Sequence, residues 1–280
     1  MMASLGQRGA AMGWWLVSVA LFVVLWEAGY LAGLYSADVL PPPSLFLGNF
    51  HEQAIHFDTG HRIVGQQRAS SVWLGIMNTV AATVLRVLAG LGLGFVLGVA
   101  TGVLVRYIGL FGKLVLPTLT LLAPISPFAW LPVAVFMLGV GNAPAIFLVF
   151  VAVYFIITLA TIAEIDTVPH TMVQVARIMG ADRRALYRHV VLPAILPGLF
   201  MILRMNLFAA WMVVLIAESA GTSHGLGAVI MLARNTANSD LVFLGFVVVG
   251  IVGFVFDGLL RIVQRRLLYW LPAEPAALKV

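Results

Sequence analysis

The chain has 280 residues, of which 62% are hydrophobic and only 10% are charged, and because a soluble domain carries roughly 25% charged residues, this composition indicates an integral membrane protein. The formal charge of +5 does not indicate a nucleic-acid partner, since the excess basic residues of a membrane protein mark its cytoplasmic loops. The absence of cysteine excludes disulfides, a thiolate nucleophile and cysteine metal sites.

Six apolar segments are long enough to cross a bilayer, which takes about 20 residues. They predict an all-α transmembrane domain over residues 1–280, with spans at 14–34, 78–105, 114–138, 143–163, 194–219 and 241–262. The first segment is too long and uninterrupted for a signal peptide, so we expect it to be retained. Segment 35–77 has Pro41-Pro42-Pro43 near its start and lacks a long apolar run. We expect it to lie outside the bilayer, with a short interfacial helix.

The basic residues predict the orientation of these spans. Six spans put both chain ends on one side, together with Arg8, Arg106, Lys113, Arg177, Arg183, Arg184, Arg188, Arg261, Arg265, Arg266 and Lys279. The opposite side has only Arg62, Arg68 and Arg234. Because basic loops stay in the cytoplasm, both termini and segment 164–193 are predicted to be cytoplasmic.

Glycines recur every four residues along the second predicted span, at Gly90, Gly94, Gly98 and Gly102. Such a stripe of small residues permits close helix packing. Packing within one subunit is favoured over a seam between subunits.

The third predicted span contains Pro117, Pro124, Pro127 and Pro132, which we expect to break its hydrogen bonding. Broken backbone at membrane depth is tolerated where it is buried or lines a water-filled cavity. One interpretation is part of a translocation pathway, with Ser126, Phe128 and Trp130 nearby. The alternative is a kinked packing helix.

Charged residues inside spans are costly and are functional candidates. Arg86 and Arg204 are the cations, and Glu27, Glu218 and Asp257 are the acids. Arg204, Trp211 and Glu218 are spaced by seven, so they lie near one face of the fifth span. A cationic pathway would suit an anionic solute. The alternative is a structural ion pair between Glu218 and one of the two arginines.

Segment 164–193 has the pattern of two short helices. Asp166 or Thr167 is predicted to cap the first, with Pro169 in its first turn. Its apolar face is expected to consist of Met172, Val175, Ala176 and Met179. Gly180 is expected to end this helix, because glycine adopts positive φ at little cost.

The second short helix is predicted at Arg183–Val191, with Asp182 as its cap and Leu186 and Val190 on its apolar side. Leu192-Pro193 is expected to end it and to begin the next span. Periodicity alone is equally compatible with a partner-docking element and with a connector on the membrane surface.

This segment resembles the cytoplasmic loop of importer permeases of ATP-binding-cassette transporters. Their motif reads Glu-Ala-Ala, three residues, Gly, nine residues, Ile, one residue, Leu-Pro. The chain matches that spacing without a gap, with Gln174-Val175-Ala176, Gly180, Val190 and Leu192-Pro193. Gln174 and Val175 depart from the motif, and Gln174 removes one charge while leaving the helix–Gly–helix shape.

Further segments resemble the nitrate, sulfonate and taurine branch of these permeases. They are Leu40–Ser44, Asn78-Thr79 through Arg86–Gly90, Pro124–Pro127, Glu218 with Gly225–Gly227, and Asp240–Phe243. The order of these segments matches that of the branch, but none of them names a solute.

The resemblance implies a type I importer fold in a bacterial inner membrane. It further implies a homodimer, two cytoplasmic ATPase subunits that carry ATP and Mg²⁺, and an extracytoplasmic solute-binding protein. This chain has no phosphate-binding Gly-x-x-x-x-Gly-Lys-[Ser/Thr] motif and is expected to bind no cofactor. The residues expected to couple to the ATPase are Gln174, Val175, Ala176, Arg177, Gly180, Ala181, Asp182, Leu186, Val190, Leu192 and Pro193. The alternative function is an ion-coupled secondary transporter that works without an ATPase.

Two patterns are weak indications of chemistry. Gly221–Gly225 matches Gly-x-Ser-x-Gly but lacks the strand–turn–helix context of a nucleophile, so we predict a turn there. His51, His56 and His61 are spaced by five, which is a poor helical spacing for metal ligands. We therefore predict no catalytic residue and no metal site.

Overall fold

A computed structural model describes residues 3–59 and 71–269, and its regular elements are all helical over these ranges. In chain order the α-helices are α1 (Ala3–Leu31), α2 (Pro43–Gly48), α3 (Phe50–Ala54), α4 (Val72–Tyr107), α5 (Gly109–Leu122), α6 (Leu131–Leu138), α7 (Asn142–Thr167), α8 (His170–Ile178), α9 (Arg183–Leu186), α10 (Leu192–Gly221), α11 (Leu226–Asn235) and α12 (Ser239–Leu267). Two short 3₁₀-helices lie at Ile55–Phe57 and Pro127–Trp130, and a π-helix lies at Tyr187–Val191.

Four described helices are long and apolar enough to cross a membrane: Val72–Tyr107, Asn142–Thr167, Arg183–Gly221 and Ser239–Leu267. They include the second, fourth, fifth and sixth predicted spans and extend beyond them at both ends. The first predicted span largely coincides with α1, whose apolar stretch is Leu16–Leu31.

The core forms where α4 and α7 pack closely through the glycine stripe. A Cβ added to Gly90 would lie 2.5 Å from Cβ of Val149, and one added to Gly94 would lie 2.9 Å from Cβ of Val153. Gly98 and Gly102 come similarly close to Ile157 and Thr161 on the next two turns of α7. Each glycine thus meets an α7 residue at the same separation in sequence. Packing of the stripe within one chain is therefore confirmed.

Successive glycines of α4 meet successive turns of α7 in the same order, so the two helices run parallel. The segment between them, residues 108–141, must therefore run back to the end of the bundle at which α4 began. We call the end that carries α8 and α9 the loop end, and the other the far end. Helix α10 begins at the loop end and packs on α7, so Glu218, near its C-terminus, lies toward the far end.

The third predicted span is bent rather than continuous. Its two parts, Gly109–Leu122 and Pro127–Leu138, meet at 98°. The break falls at Pro124–Pro127, as the proline pattern predicts. Pro117 and Pro132 do not break a helix: Pro117 lies inside α5 and Pro132 in the first turn of α6, where a missing N–H is tolerated.

The segment between the first two spans packs onto the protein. Its described part folds as α2, α3 and the first 3₁₀-helix, and buries Phe46 and Phe57 almost completely. Asn49 Nδ2 donates to Asp240 Oδ2 at 2.9 Å, which ties this segment to the start of α12. One short helix was predicted in this segment, and two are present, α2 and α3. Helix α4 begins at Val72, before the expected Asn78.

Candidate functional site

The loop-end segment begins with a sharp change of direction at Val168-Pro169. Helix α7 continues through Thr167, and Pro169 is the N-cap of α8. The prediction that Asp166 or Thr167 caps this helix is therefore wrong. The reason is that proline forces the preceding residue into an extended conformation, and Val168 accordingly has ψ 124°. Asp166 instead forms an exposed ion pair with Arg106.

Gly180 ends α8, as predicted. Its φ of +81° is in the left-handed region. Gly180 N donates to Arg177 O at 3.0 Å, and Ala181 N donates to Ala176 O at 3.0 Å. These two bonds form a Schellman motif, which satisfies the last carbonyls of α8 and fixes its direction relative to α9.

Asp182 caps the next helix, also as predicted, because its Oδ1 accepts from Ala185 N at 2.7 Å. The expectation that Leu192-Pro193 ends this helix is wrong, since Arg183–Gly221 forms one continuous helix. The π-helix at Tyr187–Val191 changes the hydrogen-bond register just before Pro193. That change accommodates a residue that has no N–H to donate.

One side of this segment is anchored to the protein. Ala176, Leu186 and Val191 are buried and pack with Ile195 and Leu199 at the base of α10. The short helices are therefore held against a transmembrane helix, and a force on them would be transmitted to α10.

The other side of the segment presents apolar side chains outward. The exposed fractions are 52% for Met172, 55% for Val175, 86% for Ile178 and 81% for Met179. Met172, Val175 and Met179 line a shallow pocket of about 480 Å³ together with His189. Of the four residues predicted to form the apolar face, only Ala176 packs inward. We call Met172, Val175, Ile178 and Met179 the apolar platform.

Exposed polar and basic residues alternate with the apolar platform along α8 and follow it in the next helix. They are Gln174, Arg177, Arg183, Arg184 and Arg188. An apolar centre with a charged rim is typical of a protein-binding surface. The remaining predicted coupling residues, Ala181, Val190, Leu192 and Pro193, are half-buried at the edge of this surface or beneath it.

A second candidate site is a buried ion pair toward the far end. Arg86 on α4 pairs with Glu218 on α10, and the two side chains are 3% and 0% exposed. Arg86 Nη2 donates to Asn142 Oδ1 at 2.6 Å and to His224 Nε2 at 2.5 Å. Glu218 Oε2 accepts from Thr83 Oγ1 at 3.0 Å. Of the two sequence interpretations, the ion pair is the one observed for Arg86 and Glu218.

The turn that follows α10 is built around this pair. Gly227 N donates to Glu218 Oε2 at 2.8 Å, and Leu226 N donates to Thr83 Oγ1 at 2.9 Å. Gly225 has φ +119°, and an added Cβ would lie 2.6 Å from Arg86 Nη1. Residues 221–225 therefore form the predicted turn, and they are held by the intramembrane charges.

His224 takes part in this cluster as an acceptor. Because an arginine can only donate, His224 Nε2 must carry a lone pair, and the ring is neutral. Burial lowers the pKa of His224, and the Arg86 charge lowers it further. Nδ1 of His224 is buried without a hydrogen-bond partner among the described residues.

A third group of charges lies on α10 and α12. Arg204 does not pair with Glu218: its Nε donates to Asp257 Oδ1 at 2.7 Å. Arg261 Nε donates to the other carboxylate oxygen of Asp257 at 2.9 Å. Trp211, about two turns further along α10, is buried against Phe256.

The residues at the helix break form a separate group. Pro124 and Ser126 are exposed, Pro127 is half-buried, and Trp130 packs partly on the core. The candidate pathway residues thus fall into three places: the Arg86–Glu218 pair, the Arg204 group and the helix break.

Sequence reasoning missed several partners in these groups. Asn142 and His224 contact Arg86, and Thr83 contacts Glu218. The partners in each contact are far apart in sequence, so no local pattern could link them. Arg261 carried a usable signal, because it follows Asp257 by four residues and such a pair meets on a helix surface.

Three comparisons relate this geometry to known proteins. The profile of a family described as "Binding-protein-dependent transport system inner membrane component" matches residues 90–269. A putative aliphatic sulfonates transport permease protein of Bacillus subtilis, SsuC, is 29% identical over 262 residues, which cover 92% of this chain and 88% of that protein. The taurine transport system permease protein TauC of Escherichia coli is 27% identical over 255 residues, which cover 90% and 88%.

The fold also matches a solved structure. A chain of the MetNI methionine ABC transporter, in an inward-facing conformation, superposes with a TM-score of 0.59 at 21% identity. The match covers 72% of this chain and 97% of that one. The chain therefore shares its fold with that structure.

Proposed function

Since the chain belongs to the family of inner membrane components of binding-protein-dependent transport systems, we propose that two copies of it form the translocation pathway of an ATP-driven importer in a bacterial inner membrane. Members of this family are multi-pass permeases, not enzymes, and they work with an ATPase and a substrate-binding protein. Family membership thus favours the importer over the ion-coupled secondary transporter.

The apolar platform is the observation that carries the proposal. Large exposed apolar side chains on a short helix are costly unless a partner covers them. The partner we propose is the ATPase subunit, one for each copy of the chain, which receives α8 in a cleft. The anchored side of the segment would transmit ATPase closure to α10. ATP and Mg²⁺ would be bound by that subunit, since this chain lacks a phosphate-binding loop.

We further propose six crossings of the bilayer, with both termini at the loop end and the loop end in the cytoplasm. The parallel arrangement of α4 and α7 supports a return crossing by the bent segment 109–138. The basic rim of the platform supports the cytoplasmic assignment, because arginines are retained on that side.

The proposed pathway runs beside the bent segment and α10. Pro124, Ser126, Pro127 and Trp130 supply the broken backbone expected where a pathway crosses a membrane. Arg204 supplies an accessible positive charge. Arg86, Trp211 and Glu218 are buried, so we propose that they support the pathway by fixing α10 and the turn after it.

A small anionic solute is the cargo we propose. SsuC and TauC are named for aliphatic sulfonates and taurine, and both align with most of this chain. A sulfonate, nitrate or carboxylate group delivered by the binding protein would suit a pathway that contains arginine.

The test is a charge placed on the apolar platform. Val175→Asp should lower ATP-driven uptake and the stimulated ATPase activity of the reconstituted complex by about tenfold or more, because a buried interface residue dominates binding energy. Val39→Asp is the matched control, since Val39 is also exposed but lies in the segment between the first two spans. If uptake by the Val175→Asp complex equals that of the control, the platform does not couple to the ATPase.

A further inference from the structure

Two groups of charged side chains lie on the long apolar helices, and they differ in net charge. In the far-end group, one arginine meets one carboxylate, and both side chains are almost fully buried. In the group on α10 and α12, two arginines share the single carboxylate of Asp257. The exposed fractions are 40% for Arg204, 49% for Arg261 and 6% for Asp257. The second group therefore carries a net positive charge and is open on the arginine side.

The surroundings give this charge no further compensation. Among the described residues, no other carboxylate lies within ion-pair distance of Arg204 or Arg261. The exposed neighbours one turn away supply no negative charge: Met201 and Phe208 on α10 are apolar, and Arg265 on α12 is a further cation. A net charge inside a spanning segment is costly unless an anion or water compensates it.

The geometry leaves donors available for such an anion. Arg204 uses Nε toward Asp257, and none of the hydrogen bonds among the described residues involves its Nη1 or Nη2. Arg261 donates to Asp257 through Nε and Nη2, and none of the hydrogen bonds among the described residues involves its Nη1. The shared carboxylate holds the two guanidinium groups side by side. Guanidinium forks of this kind match the oxygens of phosphate and sulfonate groups.

We propose that Arg204 and Arg261, held together by Asp257, form a binding site for one oxyanion group of the sulfonate or phosphate class. The site lies one to two helical turns inside the bilayer from Arg265 and Arg266, or about 6–12 Å along α12. Asp257 positions the arginines and does not touch the anion.

The same chemistry has two possible sources at this depth. One is the headgroup phosphate of an anionic phospholipid, because basic pockets between helices on the cytoplasmic side bind such headgroups. The other is the transported anion as it leaves the pathway toward the cytoplasm. Only the second source rests on the proposed import function.

The experiment measures both sources on the purified full-length chain in nanodiscs. Retention of phosphatidylglycerol against phosphatidylcholine is counted by native mass spectrometry, and methanesulfonate binding is titrated separately. Retention without methanesulfonate binding assigns the site to the lipid, and methanesulfonate binding assigns it to a free anion. The proposal is contradicted if neither probe binds.

Variants that remove a positive charge and a variant that removes the negative charge together separate a binding role from a structural one. Arg204→Gln and Arg261→Gln should each weaken binding about tenfold through the loss of a charge-assisted hydrogen bond. Asp257→Asn should keep or raise the affinity, because it removes the negative charge that Arg204 and Arg261 share. Arg265→Gln, an exposed arginine on the same helix without a contact to Asp257, should bind like the parent.

Loss of binding in Arg204→Gln, Arg261→Gln and Asp257→Asn alike would mean that the three residues have only a structural role. Equal binding by the two arginine variants and Arg265→Gln would mean that the anion binds elsewhere. If Asp257→Asn does not fold, the comparison of the arginine variants with Arg265→Gln still decides. The coupling test at Val175 is independent of this site, so failure of the anion site leaves the import function intact.

Discussion

Arg86 connects three elements at the far end. Its guanidinium group contacts α10, the start of α7 and the turn after α10 through Glu218, Asn142 and His224. Because the pair is buried, neither member can lose its partner without leaving an unpaired charge at membrane depth. The pair therefore sets the position of the α10 C-terminus.

Glu218→Gln tests this role. The change leaves Arg86 buried without a counter-charge and should lower the free energy of unfolding by about 3–5 kcal/mol. Asp166→Asn removes a carboxylate from the exposed pair with Arg106 and should cost at most about 1 kcal/mol. Thermal unfolding in detergent measures both, and equal melting temperatures for the two variants would show that the buried pair does not hold the far end together.

The neutral state of His224 predicts a pH dependence. Its pKa is lowered from the ordinary value of 6.5, chiefly by burial and then by Arg86. The unfolded chain therefore binds more protons than the folded one as the pH falls below about 6.5, and stability is lost in that direction. His224→Gln keeps an acceptor for Arg86 but cannot titrate, so its melting temperature should fall less than that of the parent between pH 7 and pH 5. Parallel curves would exclude His224 as the group responsible.

At the scale of elements, the glycine stripe on α4 determines which helices touch. Small residues every four positions let α7 approach closely enough for its side chains to fill the groove. The stripe was visible in the sequence, and so was the break in the third span. The identity of the partner helix and the bend of 98° were not, because both depend on contacts between residues far apart in the chain.

Gly94→Leu should disrupt the α4–α7 contact. Even the first carbon of the new side chain would lie 2.9 Å from Cβ of Val153. Overpacking of this kind costs about 1–3 kcal/mol or more. Gly92→Leu is the matched control, since Gly92 lies on the same helix with no heavy atom within 4 Å of its added Cβ. A control that unfolds at the same temperature as Gly94→Leu would mean that the groove can widen without cost.

At the scale of the whole molecule, hydropathy and the spaced loop motif were enough to predict an all-α importer permease. Asp182 and Gly180 acted as predicted because capping depends on local backbone chemistry. Two helix boundaries were predicted wrongly: the cap of α8 at Asp166 or Thr167, and the end of the helix from Arg183 at Leu192-Pro193. Both depend on how adjacent segments join, because Pro169 holds Val168 extended and the π-helix carries the chain past Pro193. The charge partners Asn142 and His224 became apparent only when the helices were brought together.

The central claim is that the apolar platform docks on an ATPase. The most direct measurement replaces Val175 with the photoreactive p-benzoylphenylalanine, crosslinks in native membranes and identifies the adduct by mass spectrometry. We expect a single major adduct with an ATP-binding subunit, and no such adduct from the same replacement at Val39. ATP-driven uptake that persists without any adduct from position 175 to an ATP-binding subunit would contradict the claim.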